Sequence, residues 1–291
     1  MVAVRVSNAV AERVDDPVYL KRHKELMLPV VRIIAINNQG SGGIGSGTVL
    51  YSGQTQGPAE EPVFSTYILT NHHVVSGLIT VQDRWSKLRQ KNVKQDVLGT
   101  PQVEFFEYRW ASRHVGQHGI QSDIVAYDPA HDLALLHLRG ESAVPSVAKL
   151  YPRGEERHLL ATMPVYAVGA GLGLPPVITA GMFAQFGVEI ETKEFWLNSA
   201  SIIFGNSGGA LFLDATHELV GVPSRVMISG WSAVSHLGFA IPITRVYQFL
   251  EDQRFRFIYD SSFTEAGEAE ERERILKDSA EESEEEEAQN G

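Results

Sequence analysis

The sequence predicts an all-β protein, a barrel pair or a sandwich, on three observations. Short runs rich in β-branched and aromatic residues recur along most of the 291 residues, and glycine-containing turns separate them. Only one strongly amphipathic helical pattern stands among them, near the end of the strand-rich region. Apolar residues make up 43% of the chain and charged residues 21%, the proportions of an ordinary globular protein with enough material for a sizeable core.

The elements follow in order. Residues 1–27 read as a charged leader, with a short helix from Pro17 to Met27 behind the capping candidates Asp15 and Asp16. At Leu28 the texture changes. VVRIIAIN, GTVLYSG and STYILTNHHVV read as strands, with the glycine-rich loop NQGSGGIGSG between the first two. That loop is no phosphate cradle, because Thr48 and Val49 follow its last glycine where a Walker motif needs Lys and then Ser or Thr. Residues 83–99 are polar and basic and read as a solvated loop or short helix. Strands resume at Val103–Trp110, at Ser122–Asp128 and at DLALLHL, Asp132 to Leu138. A proline-punctuated stretch from Arg139 to about Glu156 joins the halves. In the second half HLLATMPVYAVGAG, VITAGMFAQFG, EFWLNSASII, GGALFL, HELVGVPSRVMI and SHLGFAIPI repeat the β texture. Val246, Phe249 and Leu250 then mark a closing helix over about 244–256.

Charge is unevenly placed. Twelve acidic and three basic residues fall between Thr264 and Gly291, so −9 of the net −11 belongs to the tail. The body is nearly neutral, which argues against a nucleic-acid partner. The aromatic-poor segment 261–291 is expected to be disordered, with helical content around Glu268 to Lys277, and to be a solvated tail or an interaction segment. No stretch approaches the roughly 20 apolar residues that span a bilayer, and the N-terminus has no apolar signal core. A cytoplasmic chain is expected, although a virion component or a processed mature chain would have the same composition. Cysteine is absent, which excludes disulfides, thiolate nucleophiles and cysteine-bound zinc.

The chemistry centres on FGNSGGA, Phe204 to Ala210. Ser207 lies between Gly205 and the pair Gly208–Gly209, in a turn able to aim several N–H groups at one point beside a hydroxyl. A nucleophilic serine needs a base. His72 and His73 end an apolar strand, and strand alternation lets only one of them face a cleft. Asp132 leads an otherwise apolar strand, so its carboxylate requires a partner, which a histidine Nδ1–H supplies. His114 and His118 have the separation of two ligands on one helix face, but the segment contains glycine and lacks the glutamate of HExxH, so no metal is expected. His137 reads as a hydrogen-bonded or surface residue.

These motifs in this order, TNHHV, DLALL and GNSGGAL, resemble the trypsin-like serine proteases. Within them the chain is similar to the HtrA/Do-type branch, with TNAHVV, DLAVL and GNSGGPL. The similarity runs from about Gly45 to Thr244 and includes GSGTVL, YAVGAGLGLPPVITAG and GFAIPIT. It implies two six-stranded antiparallel barrels of the chymotrypsin type, the first over about 28–145 and the second over about 146–244, within a protease domain of residues 28–260. It also implies His73 as base, Asp132 as its carboxylate and Ser207 as nucleophile, with an oxyanion hole from Gly205 to Ser207 across Asn206. The specificity pocket would involve Ser201, Ile202, Phe204, Leu237 and Gly238. With no aspartate at Ser201 or Ile202, a small or medium apolar P1 residue is expected. Protein or peptide substrates and no cofactor are implied, and the segment after Thr244 is too short for a PDZ domain. A non-catalytic or effector-activated binding protein on the same fold is the alternative.

Overall fold

The computed structural model describes residues 17–37, 39–56, 62–86, 91–109, 113–140, 142–144, 146–229 and 232–290. The first unit contains β1 (Val30–Ile36), β2 (Gly42–Gln56), β3 (Pro62–Thr70), β4 (Ile79–Ser86), β5 (Lys91–Leu98), β6 (Gln102–Arg109), β7 (Arg113–Gln121), β8 (Asp123–Asp128) and β9 (Leu133–Gly140). The second contains β10 (Pro164–Gly169), β11 (Val177–Ile190), β12 (Lys193–Asn198), β13 (Ala210–Leu213), β14 (Leu219–Ser229) and β15 (Ser232–Pro242). All named pairings are antiparallel.

The second unit is a closed six-stranded barrel in the order β10-β11-β12-β15-β14-β13. The first is a sheet of seven strands in the order β7-β6-β1-β2-β3-β9-β8, one more than a six-stranded barrel, with β7 and β8 at its two ends. The additional strand is the glycine-punctuated RHVGQHGIQ of β7, which is exposed along most of its length and pairs only with β6. Nothing in its apolar pattern announces a strand.

DLALLHL is apolar at nearly every position because β9 lies between two cores. Ala134, Leu136 and Leu138 join Val31, Ile33, Val49 and Ile68 in the core of the first unit. Leu133 and Leu135 turn the other way, into the large cluster that contains Val165, Phe212 and Leu250 of the second. A strand covered on both faces loses the alternation of a half-buried one. The closing helix (Ile243–Asp252) contributes Val246, Phe249 and Leu250 to that same cluster.

Two segments differ from expectation, and a third, the leader, keeps its expected helix but is tied to the body. Within the basic stretch 83–99, residues 83–86 and 91–98 belong to the paired strands β4 and β5 rather than to a loop or helix, and residues 87–90 lie outside the described residues. The leader residues 17–27 form a helical turn, then a π-turn, and are tied to the body. Leu26 is fully buried, Glu25 meets His217 Nδ1 at 2.7 Å, and Ser146 donates to Lys24 O at 2.7 Å. Residues 1–16 lie outside the described residues. The acidic tail is helical over Glu265–Asn290, where disorder with helical content only around Glu268 to Lys277 was expected. Its first turns are paired by body residues: Arg256 Nη2 lies 2.5 Å from Glu268 Oε1 and 2.7 Å from Glu271 Oε2. Arg254 Nε donates to Glu271 at 2.8 Å, and Tyr67 donates to Glu265 at 2.7 Å. Composition counts these carboxylates as solvated, whereas Glu268 is 2% exposed. Only the folded chain brings the arginines to them.

Candidate active site

The loop between β12 and β13 carries Ser207. Gly205 (φ 98°) and Gly208 (φ 82°) take left-handed backbone angles, and neither has room for a side chain. A Cβ on Gly205 would lie 2.5 Å from Ala170 O, and one on Gly208 2.3 Å from Ser46 O. The carbonyls of this turn are pinned away from the cleft: Phe204 O accepts from Leu172 N–H (2.7 Å), Gly205 O from Ser46 Oγ (2.6 Å), and Ser207 O from Ser46 N–H (2.8 Å). Among the described residues, the N–H groups of Gly205 and Ser207 have no hydrogen-bond partner within the chain. Asn206 differs from its expected role as an oxyanion donor. Its N–H donates to Ile203 O at 3.0 Å and its side chain is buried, so it shapes the turn and offers no donor.

His73 and Asp132 lie at the same end of the antiparallel β3–β9 pair, just beyond the paired Thr70 and Ala134. Strand β3 stops at Thr70, and His72–Val75 form a single helical turn. The two histidines therefore project about 100° apart rather than to opposite faces of a strand. His73 Nδ1 lies 2.8 Å from Asp132 Oδ2 and 3.0 Å from Oδ1, and the His73 backbone N–H donates to Oδ1 at 2.9 Å. Asp132 holds a left-handed φ of 59° in the turn before β9, and Asn71 Nδ2 donates to its carbonyl at 2.9 Å. Burial alone would raise the Asp132 carboxyl, but hydrogen bonds and the charge interaction with His73, together with the Ser224 hydroxyl, outweigh it and hold it below the usual carboxylate range. The acceptor geometry at Nδ1 selects the tautomer that leaves Nε2 as an acceptor.

Two serines complete the arrangement, and sequence reading missed both. Ser224 Oγ donates to Asp132 Oδ2 at 2.7 Å, while its carbonyl accepts from Ser207 Oγ at 3.2 Å. Ser46 Oγ accepts from Ala170 N–H at 2.7 Å while donating to Gly205 O, and so ties β2 and β10 to the turn. The GSG of β2 was a signal for Ser46: Gly45 has no room for a Cβ, which would fall 2.6 Å from Val74 and 3.2 Å from Ser207 O. For Ser224 the sequence offered none.

Ser201 is exposed and Ile202 is buried, 2% exposed. Ile202 packs on Gly238, where a Cβ would lie 2.4 Å from Ile202 Cδ1. Leu237 is half-buried beside Gly238, and Phe204 stands on the rim, 63% exposed. His72 shares a cleft with His73, Asp132 and Ser224, stacks on Tyr127 at 5.6 Å, and burial pushes its pKa down. His114 and His118 lie on β7 against Phe106 and Phe105, not on a helix. Among the described residues no cluster of three metal-ligating side chains occurs. His137, expected to be hydrogen-bonded or exposed, is instead buried and stacked on Tyr67 at 4.6 Å, with Nε2 unpartnered. Among the described residues no helix is long and apolar enough to cross a membrane.

A closed barrel beside a second β unit, with a glycine-framed serine and an aspartate-held histidine between them, defines the chymotrypsin-like class of serine peptidases. The trypsin-like peptidase domain model matches residues 45–222, and the chain belongs to that family. It is 30% identical over 148 residues to Protease Do-like 1, chloroplastic, of Arabidopsis thaliana, a match covering 48% of this chain and 32% of that protein. Serine protease Do-like HtrA of Lactobacillus helveticus is 26% identical over 195 residues, covering 64% and 39%. The matches thus span about a third of the length of these curated relatives. Among solved structures, an HtrA-type protease with a tripeptide superposes with a TM-score of 0.57 at 20% identity, covering 81% of this chain and 63% of that one. Deg5 superposes with a TM-score of 0.53 at 23% identity, covering 82% and 92%. These two likenesses establish the fold.

Proposed function

We propose that the chain is a serine endopeptidase whose triad is His73, Asp132 and Ser207. The observation that carries this reading is the double hold of Asp132 on His73, through Nδ1 and through the backbone N–H, in the cleft where Ser224 links that carboxylate to the serine. Ser207 Oγ bonds to the substrate carbonyl carbon as its proton passes to His73 Nε2. The unpartnered N–H groups of Gly205 and Ser207 receive the oxyanion. The C–N bond then breaks, His73 returns the proton to the leaving amine, and water hydrolyses the acyl-enzyme. Buried Ile202 packed against Gly238 supports small or medium apolar P1 residues, and protein or peptide chains are the substrates.

Ser207 Oγ donates to Ser224 O rather than to His73, which favours an effector-activated form as the second reading, with rotation of the serine as the activating step. Fluorophosphonate labelling decides between the readings. Wild-type protein should label at Ser207, with no label on Ser207→Ala or His73→Ala, while His72→Ala labels nearly as wild type. Labelling that appears only with an added peptide supports the effector reading. Folded protein that never labels refutes the peptidase.

A further inference from the structure

The cleft beside His73 carries a charge that the peptidase chemistry does not use. His72, His73, Pro129, Asp132, Lys193, Ser224 and Arg225 line it. Lys193 begins β12 and reaches across to the first unit, where Nζ donates to Pro129 O at 3.1 Å. Among the described residues it has no carboxylate within ion-pair distance. Arg225 follows Ser224 directly, stacks its guanidinium on Phe195 at 5.5 Å, and pairs with Glu191 at 2.8 Å. Glu191 is 71% exposed at its side chain, so this pair is weak and readily exchanged. The other carboxylates nearby are committed: Asp132 to His73, and Asp128 to His131 at 2.6 Å.

Backbone geometry says which part of a peptide meets these cations. Strand β13 pairs with β14 only at Leu219 and Gly221, and Gly208 N–H takes Pro223 O. Beyond Ser224 the edge of β14 facing the cleft has no strand partner among the described residues, and it runs away from Ser207. An extended peptide adding antiparallel to that edge brings its chain toward Ser207 from the N-terminal side. The residues before the scissile bond then lie along Arg225 and Lys193.

Resting on the peptidase reading for its orientation, we infer that Lys193 and Arg225 form a subsite for acidic side chains in the two to four residues preceding the scissile bond, so that the favoured substrates are acidic peptides. A substrate carboxylate supplies Lys193 with the charged partner it lacks and competes with exposed Glu191 for Arg225. The cations contribute several-fold each, as partly exposed pairs do, and the preference weakens with salt.

The test uses full-length protein with Ser207→Ala, so that binding is read without turnover. Fluorescence anisotropy would compare peptides of identical length and P1 residue that carry Glu, Gln or Lys at the three preceding positions. The expected order of affinity is Glu, Gln, Lys, with Glu over Lys by about tenfold or more at low salt. Lys193→Glu together with Arg225→Glu should reverse the order. Equal affinities, or an order unchanged by the double reversal, overturn the inference. Fluorophosphonate labelling of the parent Ser207 protein is scored separately: its failure removes the peptidase reading, whereas labelling with a flat charge preference removes only the acidic subsite.

Discussion

Ser46→Ala isolates what holds the nucleophile turn in shape. The Ser46 hydroxyl is fully buried and bridges Ala170 N–H and Gly205 O at 2.7 and 2.6 Å. Removing it leaves one donor and one acceptor without partners. At about 1–3 kcal/mol for each unsatisfied buried group, the loss is about 2–6 kcal/mol, or very roughly 5–20 °C in melting temperature for a domain of this size. The effect on activity is separable. Gly205 O belongs to the peptide next to the one carrying the Gly205 N–H, and that N–H is one of the two free donors of the turn. Full loss of such a donor costs about 10²–10³ in kcat. Loosening it should cost about 10- to 100-fold, with KM nearly unchanged, because the donor acts on charge that develops in the transition state. The assay is steady-state cleavage of a peptide ester at least 10 °C below the variant's melting temperature, normalised to the folded fraction by burst titration. Wild-type kcat in folded Ser46→Ala protein refutes the reasoning.

Three further outcomes are expected. Asp132→Asn should lower kcat about 10⁴-fold through the wrong histidine tautomer. The folded carboxyl is depressed, so its stabilisation is complete above the ordinary carboxylate value near 4 and is lost as pH falls through the lower folded value; melting curves between about pH 2 and 7 should therefore slope less in the variant. Gly238→Ala places a methyl on Ile202 and should reduce kcat/KM for a Leu P1 substrate about tenfold more than for an Ala one, and parallel losses for both would contradict the pocket assignment. Truncation after Thr264 removes Glu265, Glu268 and Glu271 from Tyr67, Arg254 and Arg256, and calorimetry should register a fall of several degrees. An unchanged melting temperature would mean that the helix contributes nothing to the body.

The all-β class and the closing helix were legible in the sequence because each is local, while the roles of His73, Asp132 and Ser207 were read from the resemblance of their motifs. Strand texture repeats every few residues, an amphipathic helix announces its own period, and glycines with left-handed angles such as Gly205 and Gly208 mark the turn they permit. What the tertiary structure decided is pairing over long separations. Arg256 neutralises Glu268, so a tail whose composition indicates disorder becomes a docked helix. Ser224 and Ser46 are inconspicuous in PSRV and GSG until folding places one on Asp132 and the other on Gly205. Asn206 stands in the motif beside the expected donors, yet the turn consumes its N–H. The choice of His73 over His72 was made in sequence by resemblance, and the structure places both on a helical turn that strand alternation does not describe. Residue types and local periods are written in the chain itself. The partner of a buried polar group is chosen only when distant segments close around it, because that is where its desolvation has to be offset.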